Sequence, residues 1–208
     1  MPSVTRSPRR RPVGPAPDLD SALAAALTRL LAAGTSFTAL SVEALAREAG
    51  MARSTFYLHF RDKGELVRRL LQRVREDILS ASAVWFDDPA GADRAALEQA
   101  VRGILGAYQR HRAVMRAVTE TAAYDPAVDA AFQDLMQALS QSTRRGIQRV
   151  REAGGTRGRM PGEVGDALTW MVERCCQQML ATPGRAAQER LVRALAHILW
   201  HAIHAPDD

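Results

Sequence analysis

The residues best suited to chemistry lie close together in the segment Ser41–Lys63, which reads SVEALAREAGMARSTFYLHFRDK. Two short helical stretches flank residues 50–52 (Gly-Met-Ala), which is the arrangement of a helix-turn-helix. On the second stretch Phe56 and Phe60 fall on one face. The other face offers hydrogen-bond donors, namely Arg53, Ser54, Thr55, Tyr57 and His59. A short helix with one anchored face and one donor-rich face suits the reading of base edges in a DNA major groove.

The charge distribution agrees with a polyanionic partner. The 208 residues carry a net charge of +5. Residues 18–80 contribute +1 and residues 81–208 contribute 0, whereas residues 1–17 contribute +4 through four arginines: Arg6, Arg9, Arg10 and Arg11. A local positive field of this kind favours binding to nucleic acid. A tail that only keeps the protein in solution would give the same pattern.

About nine helices are predicted to position these residues. Hydrophobic residues make up 47% of the chain and aromatic residues only 5%, a composition that favours helices built on Leu, Val, Ile, Met and Ala. Apolar residues recur at helical spacing, and no two-residue alternation predicts a strand. The expected fold class is all-α, with a three-helix helix-turn-helix domain at 18–82 and a helical C-terminal domain at 83–208. Five prolines within residues 1–17 predict a disordered basic arm.

Several other classes of protein are not expected. The chain has no long uncharged apolar run that would predict a membrane span, and its basic N-terminus lacks the apolar part of a secretory signal. The two cysteines, Cys175 and Cys176, are adjacent and poorly placed to pair, which favours a cytoplasmic protein. Phosphate loops and hydrolase motifs are missing, so neither an enzyme nor a cofactor is predicted. His197 and His201 have metal-compatible spacing, although a surface patch is the favoured interpretation.

The segment around the turn resembles the DNA-binding domain of the TetR/AcrR family of repressors. The resemblance departs from the family pattern at Ala52, where a helix-capping serine is usual, and this predicts a loss of about 1 kcal/mol unless Ser54 replaces the cap. The positions that match are Ser41, Val42, Leu45, Ala46, Ala49, Gly50, Thr55, Phe56, Tyr57, His59, Phe60 and Lys63.

This resemblance implies roles for individual residues. The hydroxyl and backbone N–H of Ser41 would hold a phosphate, and Tyr57, His59 and Lys63 would clamp others. Bases would be approached by Arg53, Ser54 and Thr55, and the minor groove by Arg9, Arg10 and Arg11. Three alternatives stay open: Tyr57 as an aromatic at the core edge, His59 as an ordinary surface histidine, and Thr55 as a buried residue.

The C-terminal half resembles the ethionamide-resistance-regulator branch of the same family. Its motifs are WFDD near residue 85, HRAVMRAV, ALTWMVERCCQQML and LVRALAHILWHAI. The branch implies dimerisation through helices eight and nine, with Arg174 and Glu173 as polar pairs and an apolar interface made of Leu195, Ile198, Leu199, Ala202 and Ile203.

The same branch implies a ligand pocket between helices five, seven and eight. The residues expected to line it are Leu97, Ile104, Tyr108, Met136, Leu139, Thr143, Thr169 and Val172. Because this set is mainly aliphatic, we expect an apolar, elongated effector oriented by Tyr108, Thr143 or Thr169. An ordinary core position is the alternative for each apolar residue in the set.

Together these features predict a DNA-binding transcriptional regulator. The expected form is a homodimeric repressor that binds a palindromic operator and is released by a small apolar effector. A regulator that activates transcription or has no ligand is an alternative, and a helical enzyme or interaction module is a more distant one.

Overall fold

The computed structural model describes residues 18–156, 160–179 and 184–204 and folds them into nine α-helices. The first four are α1 (Leu19–Ala32), α2 (Val42–Glu48), α3 (Arg53–His59) and α4 (Lys63–Phe86). The others are α5 (Arg94–Arg110), α6 (Arg112–Ala122), α7 (Pro126–Glu152), α8 (Glu163–Met179) and α9 (Arg185–Ile203). Within these ranges the only β pairing is an isolated bridge between Thr156 and His204. The predicted all-α class is confirmed.

Capping side chains fix where the N-terminal helices begin. The carboxylate of Asp18 accepts the N–H of Ser21 at 2.8 Å, and the Ser41 hydroxyl accepts the N–H of Ala44 at 3.0 Å. At α4 Asp62 accepts the N–H of Glu65 at 2.8 Å. Each contact satisfies a backbone donor that the first turn of a helix leaves unpaired.

The turn between α2 and α3 depends on a glycine. Gly50 has φ of +75°, a backbone conformation that L-residues with side chains rarely adopt. Its N–H donates to Arg47 O and the next N–H, of Met51, donates to Ala46 O at 2.9 Å. The chain therefore leaves α2 sharply and enters α3 at a fixed angle.

The N-terminal helices enclose a small apolar core, and α4 extends from this core into the rest of the molecule. The predicted domain boundary at residues 82 and 83 falls inside α4, which is continuous from Lys63 to Phe86. Its position stays a prediction. The core residues beneath the turn are Leu23, Leu27, Leu45, Phe56, Phe60, Leu66 and Leu70, all fully or almost fully buried.

The C-terminal helices pack in pairs around the second half of α4. Helix α5 lies between α4 and α9, while α7 contacts α4 and α8, and α6 contacts α1, α4 and α7. The crossing of α4 and α5 is close, because a Cβ atom at Gly103 would lie 2.8 Å from Ala81 O. No helix among the described residues is both long and apolar enough to cross a bilayer.

The predicted dimer interface on α9 is wrong at three positions. Leu195, Leu199 and Ile203 are 2%, 7% and 1% exposed in the single chain, because this face of α9 packs against α5. Apolar side chains occur on two sides of α9, and the sequence pattern assigned both sides to the partner subunit. Of the five predicted residues, Ile198 is exposed and Ala202 is half-buried.

Candidate nucleic-acid interface and internal cavity

Helix α3 presents its polar side to solvent. Phe56 and Phe60 are 0% and 2% exposed, and their ring centroids lie 5.1 Å apart in the core. By contrast, four of the five predicted donors are exposed, namely Arg53, Ser54, Tyr57 and His59. The fifth donor, Thr55, is half-buried. The two phenylalanines therefore fix the pose of a helix whose donors all face outward or lie at its edge.

Two further features of α3 bear on recognition. The Arg53 guanidinium lies 5.5 Å from the centroid of the Tyr57 ring, a cation–π distance that restrains both side chains. Leu58 is 81% exposed, which sequence reasoning missed because the helix was read as polar. An exposed leucine on such a face can contact the methyl group of thymine.

The N-terminus of α3 lacks a side-chain cap. Ala52 occupies the capping position in an extended conformation, and no side chain makes a capping hydrogen bond there. Neither Ala52 nor Ser54 therefore caps the helix, and the loss of stability that this implies stays a prediction. The helix is held by its buried phenylalanines rather than by its first turn.

Lys63, predicted as a phosphate clamp, has a different task. Its Nζ donates to the carbonyl oxygens of Phe37, Thr38 and Leu40 at 3.0, 3.1 and 2.5 Å. An ammonium group has three N–H bonds, so all of its donors are used within the protein. Burial lowers the pKa of this group below its ordinary value. The prediction was wrong because Lys63 begins α4 and faces the loop before α2 rather than solvent.

The same loop is held from the other side by α6. The Glu120 carboxylate accepts the N–H of Phe37 at 2.6 Å and that of Thr38 at 3.4 Å. Arg116 donates to Glu120 at 2.8 Å and to Leu31 O at 3.3 Å. We call residues 37–40 the clamped loop. It leads directly into Ser41, so α6 is hydrogen-bonded to the loop that precedes α2, which no sequence motif had indicated.

Of the other residues predicted outside α3 to contact DNA, Ser41 is described by the structure and the three arginines of the N-terminal arm are not. Ser41 is exposed, and its hydroxyl oxygen caps α2 while its O–H stays available to donate. Arg9, Arg10 and Arg11 lie outside the described residues.

An internal cavity lies among α4, α5, α7, α8 and α9. The cavity has a volume of about 70 Å³, room for only a few water molecules, so a bound organic molecule would require the lining side chains to move apart. Met136 is buried elsewhere in the core and does not line the cavity. The other predicted residues all line it: Leu97, Ile104, Tyr108, Leu139, Thr143, Thr169 and Val172.

The threonines of this cavity are already engaged. Thr169 Oγ1 donates to Gly165 O at 2.8 Å and lies 3.0 Å from Thr143 Oγ1, which in turn lies 3.1 Å from Leu139 O. They are therefore less able to orient a ligand than the sequence suggested.

Sequence reasoning missed the cavity's charged residue. Glu173 lines the cavity and is only 5% exposed, so the expectation that it forms a polar pair at a dimer interface is wrong. Burial raises its pKa above the ordinary value, and burial likewise raises the pKa of Tyr108. Its position is due to the helical phase of α8, on which Glu173 follows the lining residues Thr169 and Val172.

The outer faces of α8 and α9 remain partly apolar. Trp170 is 41% exposed and contacts Phe132 edge-on at 6.2 Å, and Ile198 is 46% exposed.

The rings of His197 and His201 lie 4.3 Å apart, with the Arg94 guanidinium 3.2 Å from His197 Nδ1. A neighbouring cation disfavours a metal there, and no group of three potential metal ligands occurs among the described residues.

Comparison with known proteins agrees with this geometry. The family described as "Bacterial regulatory proteins, tetR family" matches residues 23–70, and "Transcriptional regulator EthR, C-terminal domain" matches residues 97–205. The chain belongs to the TetR family. It is a helix-turn-helix transcriptional regulator, and because such regulators are not enzymes, the enzyme alternative is removed.

Individual relatives support the same assignment. The chain is 31% identical to the HTH-type transcriptional regulator EthR of Mycolicibacterium smegmatis over 97% of its length and 94% of the relative's. It is 29% identical to the EthR of Mycobacterium tuberculosis, covering 79% and 78% of the two chains.

Solved structures share the fold. A tetR-family regulatory protein from Rhodococcus RHA1 matches with a TM-score of 0.71 at 16% identity, covering 92% of this chain and 100% of that one. NalD of Pseudomonas aeruginosa, described as the secondary repressor of a multidrug efflux pump, matches with a TM-score of 0.70 at 16% identity over 90% and 98% of the two chains.

Proposed function

We propose that this TetR-family regulator is a cytoplasmic repressor that binds a palindromic operator as a homodimer and releases it when a small, mainly apolar effector fills the cavity. The observation that carries the proposal is the exposed donor face of α3, fixed by the buried rings of Phe56 and Phe60. A fixed helix face can be matched to one sequence of base edges.

Exposure on α3 and at Ser41 supports most of the DNA contacts, and the resemblance implies the rest. We assign base contacts to Arg53, Ser54 and Thr55, with Arg53 suited to guanine and Leu58 to a thymine methyl group. The phosphate contacts would come from Ser41, Tyr57 and His59, and the minor-groove contacts from Arg9, Arg10 and Arg11.

Dimerisation would use the outer faces of α8 and α9. One α3 reads few base pairs, whereas two copies related by a dyad and separated by about 34–36 Å read both halves of a palindrome. Trp170 and Ile198 are large, exposed and apolar, and burying them against a second copy would remove an unfavourable contact with water. Ala202 lies at the edge of this face.

The dimer proposal is tested by placing a charge on the apolar face. Ile198→Asp should give a monomer in sedimentation-equilibrium measurements at concentrations where the wild type is dimeric. Val84→Asp changes a comparably exposed residue on α4, 42% against 46%, and should leave the dimer intact. A dimer that persists unweakened in Ile198→Asp would show that other residues form the interface.

The effector would act by shifting the relative position of the two domains. Helix α4 lines the cavity with Ile78, Ser82, Trp85 and Phe86 and begins with Lys63 at the clamped loop. A ligand that favours one arrangement of α4 can change the spacing of the two α3 helices by no more than its differential affinity for the two arrangements.

The DNA-binding part is tested with labelled DNA from the region upstream of the protein's own gene, because such repressors often act on adjacent genes. The double variant Arg53→Ala/Tyr57→Ala should abolish specific binding. Binding is measured as the fluorescence anisotropy of the labelled DNA in the presence of unlabelled random DNA as competitor. The matched control Arg151→Ala/Tyr124→Ala removes the same two residue types from exposed positions in the C-terminal half and should bind normally. DNA binding that survives the α3 double change would contradict the assignment of α3.

The effector part is tested by adding neutral apolar molecules of increasing chain length, such as 1-hexanol to 1-dodecanol, to the same complex. At least one should weaken DNA binding in the wild type. Ile104→Trp, which fills part of the cavity, should reduce that response. Unchanged DNA affinity with a molecule shown by calorimetry to saturate the cavity would contradict effector control.

A further inference from the structure

The cavity contains polar atoms that the protein itself leaves unpaired. Trp85 Nε1, Tyr108 Oη and Glu173 Oε1 are buried and have no hydrogen-bond partner among the described residues. All three side chains line the cavity, and none is more than 5% exposed. Because buried polar groups in native proteins are nearly always paired, such a cluster indicates that a bound molecule supplies the missing partners.

Glu173 is the only charged side chain among the residues that line this cavity. No arginine, lysine or histidine among the described residues lies within 4.0 Å of its carboxylate to form an ion pair. Gln177 hydrogen-bonds the Glu173 side chain and Arg174 attracts its carboxylate from the exposed side of α8, but burial outweighs both effects and raises the pKa of the carboxyl. An acid buried without a cation is unfavourable in its charged form, and a bound cation would relieve that penalty.

Tyr108 and Glu173 both line the cavity, and each has a buried oxygen without a hydrogen-bond partner among the described residues. Burial raises the pKa of the Tyr108 phenol most, followed by Cys176 and then by the negative charge of Glu173. The other hydroxyl groups of the lining are already engaged, since Thr143 and Thr169 bond each other and Ser82 donates to Ile78 O at 2.7 Å. Glu173 and Tyr108 therefore give the cavity an acid with one unpaired oxygen and an unpaired hydroxyl group in an otherwise mainly apolar lining.

We propose that the effector is an amphiphilic amine, whose protonated nitrogen binds the Glu173 carboxylate and Tyr108 hydroxyl while its hydrocarbon part fills the apolar remainder. The inference rests on the proposed function, because it specifies the ligand of the same cavity. An ammonium group has donors for both oxygens, a neutral alcohol would leave the acid without a counter-charge, and a carboxylate would be repelled by it.

The test compares three probes of equal chain length: octylamine, 1-octanol and octanoate. Their affinities for the full chain are measured by isothermal titration calorimetry at one neutral pH. Octylamine should bind about tenfold or more tighter than 1-octanol, since a hydrogen bond to a charged group is worth at least that factor. Octanoate should bind most weakly.

Two variants and one control assign the preference to its residues. Glu173→Gln should keep the affinity for 1-octanol but lose the preference for octylamine. Tyr108→Phe, which removes only the hydroxyl, should weaken octylamine more than 1-octanol and serves if Glu173→Gln does not fold. Glu163→Gln changes an exposed acid on the same helix and should bind all three probes like the wild type.

The outcomes separate this inference from the proposed function. If octylamine and 1-octanol bind equally to the wild type, or if the preference persists in Glu173→Gln, the amine inference is wrong while the effector cavity stands. If none of the three probes binds, both are contradicted.

Discussion

The contact between Glu120 and the clamped loop makes a quantitative prediction. In Glu120→Ala the N–H of buried Phe37 loses a charged acceptor at 2.6 Å. A hydrogen bond to a charged group is worth about 1.5–3 kcal/mol. The 3.4 Å contact from Thr38 is at the limit for a hydrogen bond and adds little. The exposed ion pair with Arg116, four residues earlier on α6, adds about 0.3–0.5 kcal/mol.

We therefore expect Glu120→Ala to lose about 2 kcal/mol of folding free energy. For a chain of this size each kcal/mol corresponds to a Tm change of about 2–4 °C, so the expected drop is about 4–8 °C. The assay is thermal unfolding followed by circular dichroism at one protein concentration, because dimerisation would make Tm depend on concentration.

The matched control for this measurement is Glu152→Ala. That glutamate accepts only an exposed side-chain hydrogen bond from Gln148 at 2.8 Å, so its loss should stay within about 0.5 kcal/mol. Equal Tm values for Glu120→Ala and Glu152→Ala would refute the view that α6 holds the start of α2 in place.

Three further predictions concern single residues. Ala52→Ser should add the missing cap to α3 and raise the urea midpoint by the equivalent of about 0.5–1 kcal/mol, with no rise expected if the cap does not form. Lys63→Met should leave three carbonyl oxygens without their donor and lower stability by more than about 2 kcal/mol, whereas an exposed phosphate clamp would give no loss of stability. The third is a pH dependence. Because burial raises the pKa of Glu173 in the folded state, protonation of its carboxyl favours folding, and this contribution falls as pH rises through the raised pKa. Glu173→Gln should thus raise Tm more at pH 8 than at pH 5, and equal shifts at both values would contradict it.

Local signals predicted the helix-turn-helix well. Residues 50–52 were predicted to separate two short helices, and Gly50 has the positive φ that so sharp a turn requires. Ser41 and Asp62 are of the residue types that cap helices, and each accepts a backbone N–H from the first turn that follows it. These features depend on residues within a few positions of one another, so a pattern in the sequence contains all the information needed.

The errors concern the direction in which a side chain points once helices pack. Lys63 matches the family motif, but whether its ammonium meets phosphate or carbonyl oxygens depends on the path of a loop 25 residues earlier. Leu199 and Ile198 are neighbours on α9, and only the packing of α9 against α5 decides which one is buried. Glu173 appeared to be a surface acid because a periodic pattern cannot show that a helix faces an internal cavity.

The clamped loop limits how this regulator could be rebuilt. A chimera that joined residues 18–82 to the C-terminal domain of another regulator would retain Lys63 but lose Glu120. The clamped loop before α2 and α3 would then be hydrogen-bonded by Lys63 but not by α6. A chimera designed to exchange DNA specificity between related regulators should therefore include α6 together with residues 18–82. Alternatively, it should restore an acidic residue at the position that faces Phe37.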